Sequence, residues 1–147
     1  MREIRTLPEV EVIRRWAELY AAGKHKGKSR PLLEFYVGLD PTWVEVELSH
    51  DDYEADWNEE FVDAAPLSQD QISRAERYAR TPGPLPPGMA RYTGQSAQRR
   101  RLKLRVHDGN HRAYAAFLRG SPTARFYVPL NEWRLFQSVV HETADPQ

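Results

Sequence analysis

Val106-His107-Asp108-Gly109-Asn110-His111-Arg112-Ala113-Tyr114-Ala115-Ala116 is the stretch on which the fold turns. Upstream of it Leu102, Leu104 and Val106 alternate toward a core, which predicts a strand over Arg101–Val106 that delivers His107 and Asp108 to its C-terminal edge. Gly109 permits a sharp or left-handed turn, and Asn110 stands where a helix N-cap would stand. A helix is expected from Asn110 to Leu118, closed by Gly120. The unpaired N–H groups of such a helix start, with the helix dipole, favour an anion. Arg112 adds a planar donor fork suited to phosphate oxygens and His111 a further donor, while Ala113, Ala115 and Ala116 let the helix lie close to a sheet. The pattern predicts a strand–turn–helix phosphate-binding element. The simpler alternative is that Asp108 or Asn110 only caps the helix and Arg112 pairs with an acidic segment.

Outward from this centre, Thr6-Leu7-Pro8-Glu9 reads as a helix start with Thr6 as N-cap, and Ile13, Trp16, Ala17 and Tyr20 share one face of a helix over 7–22. A basic loop, Gly23–Pro31, leads to a short apolar strand at Leu32–Val37 and a turn at Gly38–Pro41. Trp43–Leu48 alternates with period two, as a half-buried strand does. Ser68-Gln69-Asp70-Gln71 opens a helix through Ala79, and the proline-rich Thr81–Gly88 can be neither helix nor central strand. Met89–Tyr92 predicts a strand, joined through a polar turn at Thr93–Gln98 to the one ending at Val106. Ala124–Val128 is a further strand, and Asn131 caps a last helix carrying Trp133, Leu135 and Phe136, with a frayed tail.

With 147 residues and 40% hydrophobic content, the chain suits one domain with its own core. It has no cysteine, which excludes thiolate nucleophiles, Cys-based zinc sites and a disulfide scaffold. No apolar run reaches the length of a membrane span, and Met1–Arg5 has no signal-peptide core, so a soluble cytoplasmic protein without membrane partners is expected. Net charge is zero, but the charges are segregated: nine acids and no Lys or Arg over Trp43–Asp63, six bases and one acid over Arg99–Arg112. Any anion must therefore be met by a local patch.

The segment Asp108–Ala116 resembles the signature of the ParB/sulfiredoxin superfamily. Around it, Val44–Ser49 is similar to that family's first strand, Ser68–Arg80 to the helix after it, and Pro86–Met89 to its proline-led next strand. The resemblance spans roughly residues 43–138 and implies an α+β fold with a small mixed β-sheet and packed helices. Residues 1–42 would be an N-terminal helix and basic loop added to a 43–140 domain, with a tail over 141–147. Sulfiredoxins carry Gly-Cys-His-Arg; Asn110 stands in the cysteine's place, which excludes sulfinic acid reduction, while His111 and Arg112 match the phosphate-contacting pair. ParB proteins, which bind and hydrolyse CTP, carry Gly-Glu-Arg-Arg-x-Arg. Asn110 replaces that glutamate, Tyr114 replaces the last arginine, and no helix-turn-helix region follows. The motif is most similar to Asp-Gly-His-Thr-Arg-Ala-aromatic-Ala-Ala of the ADP-dependent free-serine kinases, with His111 in place of the threonine.

The resemblance implies binding of a nucleotide or other phosphorylated small molecule (ATP, ADP or CTP with Mg²⁺) and points toward a phosphotransferase or NTP hydrolase. Gly109, Asn110, His111 and Arg112 would hold phosphate, and Asp108 would act in catalysis by orienting an acceptor hydroxyl or metal-bound water. The base would come from Asp51, Asp52, Glu54 or Asp56, with no choice among them. His50-Asp51-Asp52 could help hold the metal, although a solvated acidic loop is the simpler reading. The five histidines show no metal-ligand spacing. Ala22–Ser29 meets the loose P-loop pattern, but it follows a helix where a strand is needed. The rival class is a non-catalytic accessory protein gripping DNA phosphates through the Arg99–Arg105 hairpin.

Overall fold

Trp43, Val44, Glu45 and Val46 are all buried, so the strand that holds them is covered on both faces, not half-exposed as its alternation predicts. The computed structural model describes residues 1–21, 37–55, 69–92 and 103–144. Among these the elements run β1 (Arg2–Pro8), α1 (Glu9–Ala21), β2 (Thr42–Ser49), β3 (Tyr53–Ala55), α2 (Gln69–Arg80), β4 (Gly88–Arg91), β5 (Leu104–Asp108), α3 (Asn110–Leu118), β6 (Thr123–Pro129) and α4 (Leu130–Ala144). The fold is α+β with one mixed sheet, ordered β1-β2-β6-β4-β5-β3. The β4–β6 and β3–β5 pairs are parallel, the others antiparallel.

Alternation along β2 divides the interior. Val44, Val46 and Leu48 join Phe126 and Val128 of β6, Ala113 and Ala116 of α3, and Trp133 and Phe136 of α4 in the larger core. Trp43 faces the other way and packs with Val12 and Trp16 of α1, Met89 and Tyr127. The sheet is thus sandwiched between α1 on one side and α3 and α4 on the other.

Three expectations change at the ends of elements. The Thr6–Glu9 segment is not a helix start: residues 2–8 form an edge strand of the sheet, and the helix begins at Glu9, whose N–H donates to Pro41 O at 2.9 Å. The strand carries little apolar surface and is held by charge, through Arg2–Glu47 at 2.8 Å and Arg5–Glu45 at 3.2 Å. Trp133 Nε1 also donates to Glu3 Oε1 at 2.6 Å. Gly109, not Asn110, is the N-cap of α3, and Asn110 is the first helical residue. The last helix starts at Leu130; Asp40 Oδ2 accepts the Asn131 N–H at 2.8 Å, while Asn131 Oδ1 accepts from the neighbouring Glu132 N–H at 2.7 Å. That helix runs to Ala144, through most of the expected tail.

The close of α3 at Gly120 is as expected. Gly120 has φ 77°, its N–H donates to Phe117 O and the Ser121 N–H to Ala116 O, both at 3.0 Å, which is a Schellman closure. The helix over 69–80, the irregular 81–87 segment and the strands at 88–91 and 123–129 also match. The basic loop 23–31, the strand residues 32–36, the acidic residues 56–63, Ser68, the turn 93–98 and residues 99–102 lie outside the described residues.

Candidate functional site

The strand leading into the central motif does not end in simple alternation. Met89 of β4 pairs with Asp108, but its neighbour Ala90 pairs with Val106, so β5 carries one extra residue, His107. This bulge moves Asp108 off the face shared by Leu104 and Val106 and onto the Met89 side, beneath α1. There Asp108 Oδ2 accepts from Trp16 Nε1 at 2.7 Å and from Arg112 Nη2 at 3.3 Å. Asp108 is 8% exposed and Arg112 4%. Asp108, Gly109 and Arg112 lie together, with the carboxylate and guanidinium paired beneath Trp16.

Gly109 is required twice over. Its φ of 91° is left-handed, and a Cβ there would lie 2.7 Å from Gly88 Cα and 2.9 Å from Arg112 Nη2. The first bond of α3 runs from Ala113 N–H to Gly109 O at 2.9 Å, and the N-cap, Gly109, has no side chain with which to cap the helix. His111, half-buried, follows Asn110 in the first turn, so the phosphate-binding positions expected from the sequence occupy the start of α3.

Beside Arg112 opens a cleft of about 440 Å³ between β1, residues 84–86, the start of β6 and one side of α3. Its charged lining is Arg2, Arg112, Arg119 and Arg125 with Glu47, and Ser121 and Thr123 add hydroxyls. Three of these arginines also hold the proline-rich wall, by alternate carbonyls. Arg119 Nη1 donates to Gly83 O at 2.8 Å, Arg125 Nη2 to Leu85 O at 2.9 Å and Arg112 Nη2 to Pro87 O at 3.4 Å. Prolines lack the N–H by which an extended segment would join a ladder, so the wall relies on side-chain donors. Arg119 further donates to Ala79 O at 2.9 Å, Tyr78 O at 3.2 Å and Thr81 O, gathering the end of α2. A guanidinium has five N–H donors, so one arginine can hold a wall and a ligand.

The acidic candidates are placed unequally. Asp52 Oδ2 accepts from Ser49 Oγ at 3.0 Å within the turn after β2. His50 is held at both nitrogens: Nε2 lies 2.7 Å from Ser121 O, and Nδ1 2.5 Å from the Tyr53 hydroxyl, which burial pushes up to a pKa of about 12. Among the described residues no three or more His, Asp or Glu side chains gather where they could hold a metal ion, and no helix is long and apolar enough to cross a membrane. Asp56 and Arg99–Arg101 lie outside the described residues, whereas Arg105 is a half-buried residue of β5.

The cleft residues Arg2, Arg119 and Arg125 were not legible as a group. Arg119 stands next to the helix-closing Gly120, and Arg125 alternates in β6, but only the sheet order brings either beside Arg2. No protein-family model, curated protein or solved structure matches the chain.

Proposed function

We propose that the protein binds a phosphate-bearing small molecule, a nucleotide being the leading candidate, in the cleft alongside α3. The observation that carries this reading is the cleft's lining: four guanidiniums against one carboxylate, in a space large enough for a small ligand. Arginine forks match phosphate oxygens in geometry and charge. The start of α3 at Gly109 brings the positive end of the helix dipole nearby, and the resemblance of Asp108–Ala116 to nucleotide-binding families points the same way. Mg²⁺, in this reading, arrives on the phosphates of ATP, ADP or CTP, where hard cations find oxygen ligands. Asp108 acts by fixing Arg112, since its carboxylate is engaged by Trp16 and Arg112. A phosphotransfer or hydrolysis step would draw its base from elsewhere, and binding is the function proposed.

The test is isothermal titration of the full chain with inorganic phosphate, AMP, ADP, ATP and CTP, with and without Mg²⁺. At least one should bind, and Arg125→Gln should weaken it about tenfold, the worth of a charge-assisted hydrogen bond. Equal affinity in the variant, or no binding of any of these alongside salt-sensitive binding of duplex DNA, overturns the reading in favour of a nucleic-acid partner.

A further inference from the structure

Glu45 is the most deeply buried acidic side chain among the described residues, at 1% exposure. It pairs across the sheet with Arg5 of β1, and its carboxylate lies 3.2 Å from Arg5 Nε and 3.3 Å from Arg125 Nη1. The register places Glu47, not Glu45, directly opposite Arg125. Arg125 nevertheless reaches diagonally to Glu45, while Arg2 takes Glu47 at 2.8 Å. The other end of the Arg125 fork is pinned to Leu85 O at 2.9 Å. A buried carboxylate with two guanidiniums is a poor way to stabilise a sheet, because desolvation offsets most of the attraction. What the arrangement does supply is a fixed direction for Arg125 in the cleft.

Resting on the phosphate-binding reading above, we infer that Glu45 is the positioning residue of the cleft. It holds Arg125 in the orientation that receives the phosphate, with Arg5 balancing its charge. The N-terminal strand thereby belongs to the binding machinery, although it lies outside the stretch that resembles nucleotide-binding relatives.

The sign of one substitution separates positioning from bulk charge. Glu45→Gln removes a negative charge near an anion site, so if Glu45 were only a charge, phosphate would bind more tightly. If Glu45 positions Arg125, phosphate binds more weakly, by about tenfold for one misdirected charge-assisted bond. The double variant Glu45→Gln/Arg5→Gln keeps the net charge of the wild type and leaves one guanidinium rather than two without the carboxylate, so it serves even if the single variant does not fold. Inorganic phosphate and AMP are titrated into each full-length variant, with melting temperature recorded beside affinity. Weaker binding by the double variant, and by any folded single variant, supports the inference. Tighter or unchanged binding by the single variant, or wild-type affinity in the double variant, overturns it and leaves the phosphate-binding reading standing. Failure of the wild type to bind phosphate, AMP, ADP, ATP or CTP removes both.

Discussion

Trp16 Nε1 donates to Asp108 Oδ2 at 2.7 Å, joining α1 to the carboxylate that also holds Arg112. The two residues are 92 positions apart in sequence, and the bond stands where the cover of one sheet face meets the start of α3. Trp16→Phe keeps most of the apolar contact but leaves a buried carboxylate short of one donor. The expected cost is about 2–4 kcal/mol, from the lost partner and the smaller ring, read from urea unfolding of both proteins. A change below about 1 kcal/mol would show that Asp108 is satisfied without Trp16.

Gly109 and Gly83 share a φ of 91°, but they differ in what surrounds them. A Cβ at Gly83 meets nothing within 4 Å, whereas at Gly109 it strikes the Gly88 backbone and Arg112. Gly83→Ala should therefore cost about 1 kcal/mol, from backbone strain alone. Gly109→Ala should cost clearly more. Equal losses in melting temperature would mean that the approach of Gly88 to Gly109 relaxes freely.

Arg119 gathers the carbonyls of Tyr78, Ala79, Thr81 and Gly83 with one planar fork. Lysine keeps the charge but offers three donors at a single point. Arg119→Lys should lower stability by about 1 kcal/mol, a modest value because the site is exposed to competing water. It should also speed amide exchange at Thr81, whose N–H donates to Arg77 O and Tyr78 O at the same helix end. Unchanged exchange would show that the end of α2 holds without Arg119.

Tyr53 is protonated in the fold well beyond its usual range, because burial penalises the phenolate. Its pKa is raised from 10.0 to about 12, so the stabilisation linked to its proton is complete below about pH 10 and disappears as pH rises through about 12. Ultraviolet titration of the folded protein should show a late-ionising phenol that is missing in Tyr53→Phe. Ionisation of all phenols near pH 10 would contradict this.

The sequence was most readable where hydrophobic period and punctuation agree. Leu104 and Val106, Gly109 and Gly120 place the strand, turn and helix of the central motif without help from the rest of the chain. It was least readable where cohesion comes from charge. The segment Arg2–Pro8 shows no clean apolar alternation, and Thr6 with Glu9 imitates a helix cap; only Glu45 and Glu47 on a neighbouring strand make it an edge strand. The burial of Arg112 was hidden for a related reason. Its surroundings include Trp16, which periodicity assigns to a helix core but not to a carboxylate partner. The arginine-lined cleft depends on the order β1-β2-β6-β4, which no local pattern contains.

The extra residue in β5 has a consequence for chain length. Deleting His107 would restore strict pairing against β4 and leave Asp108 opposite Met89, on the side of the sheet it already faces. Inserting a residue between Met89 and Ala90 would instead give His107 a partner and turn Asp108 toward the core of Leu104 and Val106, away from Trp16, which brings a buried carboxylate among apolar side chains. The side on which Asp108 stands is therefore set by the difference in length between two paired strands, and one residue added to β4 would reverse it.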